Sequence, residues 1–451
     1  ATSMMREKKD DMFTIDDINK NRENFEKEKG FQLSNDQRDV LEKVVNSKLL
    51  VVNGHAGAGK TTALEVLKRV ADEKNIQIIG LAPSGKAAEE LAKTLGTGQT
   101  IDSFLLHLKK LDKQEIKTMY DNSVVVIDEV GMVDTRKMND LLKILKDVNC
   151  KVIMQGDWKQ IKSVGAGDLL KDIVDAVKND ETLKHSYAEL TSIRRQKKEE
   201  YLEITKSLSN RDYKKAFEIL LNNKDKYFSD FNVDEIKQEF LKDVSDTLIV
   251  SSTNNIKDYL NSSIRDELKK QKLLKSGKKI TVENTHNINS IDDIAINDKI
   301  YMNRTYYTVK EIDKKTNTIT LEYKQYNKEK RKKETITKEV KLSDLIGKQA
   351  KREREIELSI GDRVMTTKNS KDYNAKNGEL FYVKDIKKNK IVLENDSKKI
   401  TIDLDKYNSL DYSYAITTHK SQGMTVKTVL IADATNNMNA NLFYVATTRG
   451  K

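Results

Sequence analysis

A short stretch near the N-terminus, residues 49–62, constrains the fold of this chain more than any other segment. It reads LLVVNGHAGAGKTT, an apolar run that breaks into glycines and then into a lysine and two threonines. The pattern G-x-x-x-x-G-K-[ST] predicts a buried strand that ends in a loop whose backbone N–H groups cradle phosphates. Leu64, Leu67 and Val70 follow at helical spacing, so we expect a helix N-terminus to face the anion. The segment therefore predicts a nucleotide-binding protein.

Individual residues of this loop have predictable roles toward a nucleotide. Lys60 is expected to reach the β- and γ-phosphates, and the Thr61 hydroxyl to join the shell of a Mg²⁺ ion. The other residues expected to line the phosphates are Gly54, Gly57, Ala58, Gly59 and Thr62.

Composition favours a polyanionic partner and excludes several classes of protein. The 451 residues, enough for more than one domain, carry 82 Lys and Arg against 71 Asp and Glu, a formal net charge of +11. This balance favours nucleic acid, although a lysine-rich surface also serves solubility alone. The single cysteine, Cys150, excludes an intrachain disulfide. No stretch approaches the roughly 20 apolar residues of a membrane span, and the N-terminus lacks a signal-peptide core, so we predict a cytoplasmic protein without a membrane partner.

Apolar strands alternate with helical segments over the first part of the chain. The predicted strands are 48–54, 76–83, 122–130 and 150–157, and residues 247–253 repeat the style. Nearly continuous apolar strands between helices indicate a parallel sheet covered on both faces. Residues 1–30 are charged, with only short helical patches, and we interpret them as an extension or a loose helix.

The pattern changes between about residues 276 and 410 to short alternating segments that are typical of a small β-barrel. An internal repeat is present, in which two segments of a first copy resemble two of a second: 296–302 and 306–323 against 360–366 and 380–396. Two related small barrels, or one barrel with a duplicated half, would both explain it. Lysine runs at 324–341 and 348–359 are either solvated faces or contacts to nucleic-acid phosphates.

Further candidate catalytic residues follow other strands. Asp128 and Glu129 end an apolar strand, where open α/β sheets place ligand groups. Asp128 would hold Mg²⁺, and Glu129 would act as general base on the attacking water. Gln160 follows the next strand, where its amide could contact the γ-phosphate and that water together. The only tryptophan, Trp158, either packs or stacks on a base.

Two arginine motifs and an upstream glutamine complete the candidate nucleotide site. Arg194 and Arg195, and Arg449 near the C-terminus, could deliver guanidinium groups to the γ-phosphate and stabilise the transition state. Taken singly, each arginine would be read as surface charge. Gln37 lies upstream of the loop, where a side-chain amide could read the edges of adenine, or it is an exposed helix glutamine.

The order of these motifs resembles the superfamily 1 DNA helicases. From about Phe31 to Lys451 the chain reads LSNDQ, GHAGAGKTT, LAPSGKAA, QTIDSFL, VVVIDEVGM, GDWKQIKSVGAGD, ELTSIRRQ, YAITTHKSQGMT and YVATTRG. It is most similar to the RecD-like branch, which includes the helicase portion of conjugative relaxases and the phage helicase Dda. The resemblance implies ATP as the nucleotide and an α/β fold of two RecA-like parallel-sheet motor domains, with an inserted SH3-like barrel region that is apparently duplicated.

The resemblance also implies domain boundaries. They are an extension over 1–30, motor domain 1 over 31–198 with a small insertion at 105–121, motor domain 2 over 199–275 plus 411–451, and the barrel region over 276–410. In relatives the insertion carries a hairpin that splits duplex. Here it is either a modest pin or a plain helical connection.

Site roles follow from the resemblance position by position. Gln37 is similar to the adenine-reading glutamine, Gln160 to the γ-phosphate sensor, and Arg195 and Arg449 to the two arginine fingers. Gln422 and Gly423 lie in the segment that couples nucleotide to DNA. The residues implied for single-stranded DNA are Pro83, Ser84, Lys86, Thr100, Ser103, Phe104, Thr418, His419 and Lys420. For Phe104, a place in the core is the competing interpretation.

Two departures from the family pattern matter. Gly85 stands where several relatives have a histidine, so base stacking there is lost. The chain stops at Lys451, directly after the last arginine motif, where relatives continue, and we therefore expect a fragment. The five histidines do not cluster as they do in a relaxase nicking domain, so no nicking is predicted.

The sequence thus predicts an ATP-dependent DNA helicase that translocates on single-stranded DNA, 5′→3′ by resemblance, and acts at single-strand/duplex junctions. The alternative is a DNA-stimulated ATPase that translocates on a strand or clamps it without productive unwinding. A non-enzymatic basic nucleic-acid-binding protein agrees less well with the complete set of nucleotide motifs. Conjugation or recombination proteins are the partner classes that the resemblance suggests, and a monomer is compatible with it.

Overall fold

The computed structural model describes residues 1–9, 12–55, 57–160, 167–192, 198–222, 231–275, 277–288, 290–303, 305–327, 332–433 and 438–450. Within these ranges no helix combines the length and the apolarity needed to cross a membrane. The helices are α1 Thr2–Met5, α2 Ile15–Lys29, α3 Asn35–Asn46, α4 Lys60–Glu73, α5 Gly85–Leu95, α6 Ile101–Leu108, α7 Lys113–Tyr120, α8 Thr135–Lys146, α9 Leu169–Asn179, α10 Glu199–Ser209, α11 Tyr213–Asn222, α12 Val233–Lys242, α13 Asn254–Lys270, α14 Leu342–Leu345, α15 Thr418–Ser421 and α16 Ala440–Thr447.

Short 3₁₀ helices cover Val130–Met132, Glu181–Ser186 and Ile291–Asp293. The strands are β1 Leu49–Gly54, β2 Gln77–Ala82, β3 Gln99–Thr100, β4 Ser123–Ile127, β5 Lys151–Gly156, β6 Tyr187–Leu190, β7 Thr247–Ser251, β8 Gly277–Asn287, β9 Lys299–Met302, β10 Thr305–Asp313, β11 Thr318–Asn327, β12 Lys332–Lys341, β13 Gln349–Ser359, β14 Arg363–Thr366, β15 Leu380–Lys387, β16 Lys390–Glu394, β17 Lys399–Asp403, β18 Leu410–Tyr412, β19 Ala415–Thr417 and β20 Thr428–Ala432.

The chain divides into two compact units. Unit 1 comprises Ala1–Phe228, Gln422–Thr425 and Asn439–Lys451, and unit 2 comprises Ser229–Ser421 and Val426–Met438.

Unit 1 is built on a six-stranded parallel sheet of order β3-β2-β4-β5-β1-β6. Successive side chains of β1 enter opposite cores, Leu49 and Val51 on one face and Leu50 and Val52 on the other. Burial on both faces is the reason that these strands read as continuous apolar runs. The predicted parallel sheet is confirmed. Its strands β1, β2, β4 and β5 lie within the predicted segments, whereas the sequence did not predict β3 and β6.

The N-terminal region is part of the unit 1 core, which differs from the loose extension expected from sequence. Helix α2 begins with a capping box between Thr14 and Asp17, and its Phe25 ring is buried in the core that β1 also enters. Asn21 donates to the Glu73 side chain of α4 at 2.8 Å. The charged residues that suggested a solvated extension occupy the outer face of an amphipathic helix.

The segment 105–121 is largely helical. It contains the end of α6 and helix α7, which begins with a capping box between Asp112 and Glu115. This local structure agrees with the interpretation of the small insertion as a plain helical connection.

Unit 2 combines one parallel sheet with two antiparallel sheets. The parallel sheet has the order β19-β7-β20, and α13 packs on it, with Asn261 exchanging two hydrogen bonds with the Ala415 backbone at 3.0 and 2.8 Å. The antiparallel sheets have the orders β12-β11-β10-β9-β13-β8 and β17-β16-β15-β14-β18.

The two antiparallel sheets share a local geometry, in what we call the first β module (residues 295–323) and the second β module (residues 359–394). The Val309 N–H donates to the Asp298 carbonyl at 2.9 Å, and the Val383 N–H to the Asp362 carbonyl at 2.9 Å. The strand register shifts directly after the same two valines, between Val309 and Glu311 in one module and between Val383 and Asp385 in the other.

Each module also buries one aspartate at the start of its first strand. Asp298 is held by Arg352 of β13, with two contacts of 2.8 Å, and Asp362 is held by Arg265 of α13 at 2.9 Å. The residue before each aspartate, Asn297 or Gly361, has a positive φ, 71° or 99°. The same turn chemistry therefore appears twice, with the arginine supplied from different elements.

Candidate functional site

The loop between β1 and α4 has the shape of a phosphate cradle. Gly57 and Gly59 adopt φ values of 78° and 76°, and a Cβ at Gly59 would lie 2.4 Å from the Gln37 amide nitrogen. Helix α4 starts at Lys60 without a side-chain cap, so its first N–H groups remain for a ligand. The Lys60 ammonium donates to the Gly54 carbonyl at 2.7 Å. These features fit an anion, and the exposed Thr61 hydroxyl stands at the same helix start.

Gln37 braces this loop from α3. Its amide oxygen accepts from the Ser34 N–H at 3.0 Å, which closes a capping box, and its amide nitrogen donates to the Gly59 carbonyl at 3.0 Å. The side chain is fully buried, so the interpretation as an exposed helix glutamine is wrong. In this structure the oxygen and the nitrogen of the Gln37 side-chain amide are both hydrogen-bonded within the protein.

Asp128 and Glu129 follow β4, as the sequence predicts. The Glu129 N–H donates to the Asp128 carboxylate at 2.8 Å, and the Glu129 backbone has a φ of 51°, unusual for a residue with a side chain. Burial and the neighbouring Asp128 charge raise the pKa of Glu129, while Lys60 and Arg449 oppose the rise. A carboxylate with a raised pKa is a stronger base, which suits proton abstraction from water.

Gln160 lies beside an aspartate that sequence reasoning did not single out. Asp157, buried at the end of β5, accepts from the Gln160 amide at 3.3 Å and from the Lys159 N–H at 3.0 Å. The Tyr444 hydroxyl of α16 donates to the same carboxylate at 2.9 Å. Asp157 therefore orients Gln160. The sequence feature that could have indicated this role is the position of Asp157 three residues before Gln160 in the GDWKQ motif.

Gln422 brings two of the predicted catalytic side chains together. Its amide nitrogen lies 3.3 Å from the Gln160 side-chain oxygen and 3.5 Å from a Glu129 carboxylate oxygen. Its own oxygen is buried without a hydrogen-bond partner among the described residues. Gly423 follows with a φ of 78° and open space where a Cβ would be. A buried, unsatisfied acceptor at this place is consistent with a site that gains a donor on ligand binding.

Arg449 is buried in unit 1, and Arg195 lies outside the described residues. The Arg449 guanidinium donates to the Val445 carbonyl at 2.9 Å and to the Thr448 hydroxyl at 3.0 Å. Its charge acts on Glu129, whose pKa it lowers against the effect of burial. The structure thus places one of the two predicted arginine fingers within electrostatic range of the predicted base.

The DNA candidates of unit 1 gather at one edge of the sheet. Ala82, which Pro83 follows, pairs with Thr100, so β2 and β3 end together. Ser84 caps α5 by accepting from the Ala87 N–H at 3.2 Å, and Thr100 caps α6 by accepting from the Ser103 N–H at 3.2 Å. Two helix N-termini therefore lie side by side there, a favourable setting for phosphates.

Two further candidates of this edge have different surroundings. Lys86 is half-buried in the first turn of α5. Phe104 is fully buried, and its ring meets Tyr120 edge to face at a centroid distance of 5.4 Å. The expectation that Phe104 stacks on a base is thus wrong. The ring is part of the core, because α6 turns this position toward the sheet.

The DNA candidates of unit 2 lie in α15, directly after β19. Thr418 is buried, and its hydroxyl donates to the Ser251 carbonyl at 3.2 Å, so it serves the fold. His419 is exposed. Lys420 is half-buried, and burial together with the Lys257 charge lowers its pKa to about 8.

Trp158 and Cys150 have structural roles, because both pack in or against the core of unit 1. The Trp158 ring packs at the edge of a unit 1 core, with the Arg211 guanidinium 4.6 Å from its centroid. Cys150 is buried, and burial raises its pKa to about 11, so the thiol is unreactive at neutral pH.

The fold and the loop define an α/β nucleotide-binding protein of the phosphate-loop class. A model described as an AAA domain matches residues 32–225, and a model described as a UvrD-like helicase C-terminal domain matches residues 412–451. With both matches in this order and the motifs above, the chain belongs to the superfamily 1 helicases, in their RecD-like branch.

Individual relatives agree with this family. The chain is 24% identical over 424 residues to the probable conjugal transfer protein TraA of Sinorhizobium fredii, covering 93% of this chain and 32% of TraA. It is 28% identical over 136 residues to the ATP-dependent RecD2 DNA helicase of Deinococcus radiodurans, covering 30% of this chain and 19% of RecD2. The chain thus spans 32% of the length of the curated TraA relatives that it matches.

Solved structures show the same fold. The crystal structure of a Bacteroides Pif1 helicase in complex with ADP-AlF3 and single-stranded DNA aligns with a TM-score of 0.54 at 18% identity, covering 93% of this chain and 90% of Pif1. At this identity the likeness is one of fold.

Proposed function

We propose that this chain is an ATP-dependent DNA helicase that moves 5′→3′ along single-stranded DNA. One observation carries the proposal: the Gln422 amide lies within 3.3 Å of the Gln160 side chain and 3.5 Å of Glu129, in the same unit as the phosphate loop. Residues from three distant segments thus form one constellation suited to sensing and hydrolysing a γ-phosphate.

The phosphate loop would bind ATP, with Lys60 turning from the Gly54 carbonyl to the β- and γ-phosphates. The Thr61 hydroxyl and the Asp128 carboxylate would hold Mg²⁺, because both are oxygen donors near the start of α4 and the end of β4. When bound, the ion would neutralise charge that develops on the phosphates. Gln37, if it released the Gly59 carbonyl, would present its amide to adenine.

Hydrolysis would use the groups around Gln422. Glu129 would take the proton of the attacking water, and its raised pKa favours that transfer. Gln160, oriented by Asp157, would align the same water and report the γ-phosphate to Gln422. Arg195 and Arg449 would stabilise the charge of the transition state, each from its own segment of the chain.

Single-stranded DNA would run over the helix N-termini of α5 and α6. The N–H groups next to Ser84 and Thr100, together with Lys86 and Ser103, suit phosphates. In unit 2, Lys420 and the exposed His419 are the candidates that face a strand.

The matched geometry of the two β modules supports a duplicated SH3-like barrel region over 276–410. The sheet formed by β7, β19 and β20 supports a second RecA-like motor domain in the predicted range 199–275 and 411–451, after motor domain 1 at 31–198. Within that range, residues 199–228, 422–425 and 439–451 group with unit 1. A cytoplasmic DNA-processing role, in conjugation or in repair, is consistent with the TraA and RecD2 relatives.

Strand separation on two duplexes tests the function. One duplex carries a 5′ single-stranded tail and the other a 3′ tail, with ATP and Mg²⁺ present and Lys60→Ala as the inactive control. Unwinding from the 5′ tail alone is the expected result. Unwinding from the 3′ tail alone would reverse the proposed direction. DNA-stimulated hydrolysis without unwinding would establish a translocase or a strand clamp instead.

A further inference from the structure

The same face of the two β modules is covered in one and open in the other. The strand register makes the comparison residue by residue: Tyr301 pairs with Tyr306 in the first module, as Met365 pairs with Leu380 in the second. Directly paired residues project from the same face of a sheet. The outward face of β9 and β10 thus corresponds to the outward face of β14 and β15.

In the second module this face is covered by the rest of unit 2. Met365 is fully buried, and the Arg363 guanidinium donates to the Thr247 carbonyl at the start of β7 at 2.9 Å. Asp411, which pairs with Met365, contacts the Lys257 ammonium of α13 at 2.8 Å. The face therefore serves as a docking surface within the protein.

In the first module the corresponding face is open and aromatic. The Tyr301 and Tyr306 side chains are 51% and 50% exposed, and their ring centroids lie 4.9 Å apart. Lys299 stands on the same face, opposite Lys351 of β13, whose ammonium lies 5.7 Å from the Tyr306 ring. The two lysines form ion pairs with Glu353 and Glu283, at 2.7 and 2.9 Å. Where the second module has a buried Met and Arg, the first thus presents two tyrosines beside two lysine–glutamate pairs.

The chemistry next to this face is that of a nucleic-acid surface. Strand β12 reads KKETITKEVK, four lysines against two glutamates, and the strand it pairs with carries Tyr326, 56% exposed and opposite Lys333. Exposed aromatic rings among lysines bind single strands, because every base offers a π-face and every nucleotide a phosphate. The lysine excess of β12 therefore favours an anionic strand over an apolar protein surface as the occupant of this face.

We propose that Tyr301 and Tyr306 form a stacking platform for single-stranded DNA on the first β module, outside the predicted helicase motifs. The proposal rests on the proposed function, because it adds a binding surface for the same strand. The two rings stack unpaired bases, and Lys333 of β12, opposite Tyr326, contacts a phosphate of the same strand. The platform holds a strand that extends beyond the predicted motor contacts, so it acts on long strands and leaves hydrolysis itself unchanged.

Binding of labelled oligo(dT) to the whole chain at one fixed salt concentration tests the platform, with strands of about 8 and about 30 nucleotides. We expect Tyr301→Ala/Tyr306→Ala to weaken binding of the long strand by about tenfold or more and to leave the short strand within about twofold. Tyr301→Phe/Tyr306→Phe should bind as wild type, because the rings remain. Tyr306→Glu should weaken binding of the long strand even with Tyr301 intact, because it adds a negative charge.

The matched control is Tyr259→Ala, which removes a tyrosine on α13 that is 59% exposed and absent from this face; it should change neither strand's affinity. Long-strand affinity that is unchanged in the double alanine variant, or lost equally in the phenylalanine variant, would overturn the platform. DNA-stimulated ATP hydrolysis, measured with the short strand, separates the two proposals. If the wild-type protein hydrolyses ATP but the tyrosine variants bind the long strand normally, only the platform proposal is overturned. If the wild-type protein neither binds DNA nor hydrolyses ATP, the proposed function is overturned as well.

Discussion

Unit 1 and the two β modules of unit 2 use their residues in opposite ways. In unit 1, side chains from distant segments meet once: the Gln422 amide contacts both Gln160 and Glu129. In unit 2, one local turn is built twice, around Asp298 and Asp362, each with its own arginine. The outer faces of the modules then diverge, one covered and one open.

This difference predicts which property a substitution in each region should change. A constellation assembled once has no substitute for any member, so changes in unit 1 should alter chemistry and spare the fold. A repeated scaffold keeps its turn and varies its surface, so changes there should alter stability or DNA affinity and spare chemistry. Substitutions in the two regions can test this division.

Lys60→Ala is expected to give the largest effect. Loss of the ammonium should lower kcat for ATP hydrolysis by about three orders of magnitude, because the charge on the phosphates is no longer stabilised. Affinity for single-stranded DNA should change by less than about twofold, since the DNA candidates lie elsewhere. Steady-state hydrolysis and anisotropy measure the two quantities. Lys68→Ala on the same helix is the control, and equal loss of both properties in folded Lys60→Ala would break the comparison.

The two arginines that hold the buried aspartates of unit 2, Arg265 and Arg352, should affect stability and not hydrolysis. Arg265→Met leaves the buried Asp362 carboxylate without its guanidinium, which should lower the free energy of unfolding by about 3 kcal/mol. Arg352→Met should cost less, because Arg352 is the more exposed of the two arginines. Urea denaturation measures both variants. A hydrolysis rate at saturating DNA that falls in step with stability, at temperatures where the variants stay folded, would contradict the division.

Tyr444→Phe tests whether Asp157 orients Gln160 for hydrolysis. Removing the hydroxyl deprives Asp157 of a charge-assisted donor, which should let Gln160 move and lower kcat by about tenfold with KM for ATP nearly unchanged. The matched control is Tyr201→Phe, whose hydroxyl donates to the Thr447 carbonyl of the same α16 helix rather than to Asp157. Equal losses of kcat in the two variants would show that Tyr444 only supports α16.

The smallest effect concerns pH and Lys420. Burial and Lys257 lower the pKa of this lysine to about 8, so its charge is present at pH 7 and lost as pH rises toward 9. Affinity for single-stranded DNA should fall over that interval by no more than about tenfold, because one phosphate contact weakens. Lys420→Arg should remove the dependence, since a guanidinium stays protonated. An identical pH profile for both proteins would show that another group titrates.

Much of the fold could be predicted from local patterns. The strands β1, β2, β4, β5 and β7 lie where continuous apolar runs place them, because a strand buried on both faces leaves that pattern whatever its neighbours are. The sequence predicted residues 1–30 as an extension or a loose helix and did not predict that α2 packs in the core, since Phe25 acquires its partners only when α4 lies beside it. The sequence left two interpretations of Phe104 open, a core residue or a base-stacking ring, because the local pattern around the ring is the same in both cases; the structure decides for the core.

Some residues of the candidate site could likewise be predicted from the sequence, and others could not. Lys60, Asp128 and Glu129 could be placed from sequence, because a strand followed by a loop or an acidic pair is a local pattern with local consequences. Asp157 and Tyr444 could not, although both letters stand in recognised motifs. Their hydrogen bond joins residues 287 positions apart, and no spacing in the chain encodes it.

By itself the sequence determined the phosphate loop, the parallel sheet and the family, since each depends on neighbours along the chain. Only the tertiary structure decided that Gln37 braces the loop, that Gln422 joins Glu129 to Gln160, and that one module hides the face that the other exposes. These outcomes depend on which distant backbones come together. Burial and hydrogen-bond satisfaction, which set the roles of such side chains, are properties of packed neighbours.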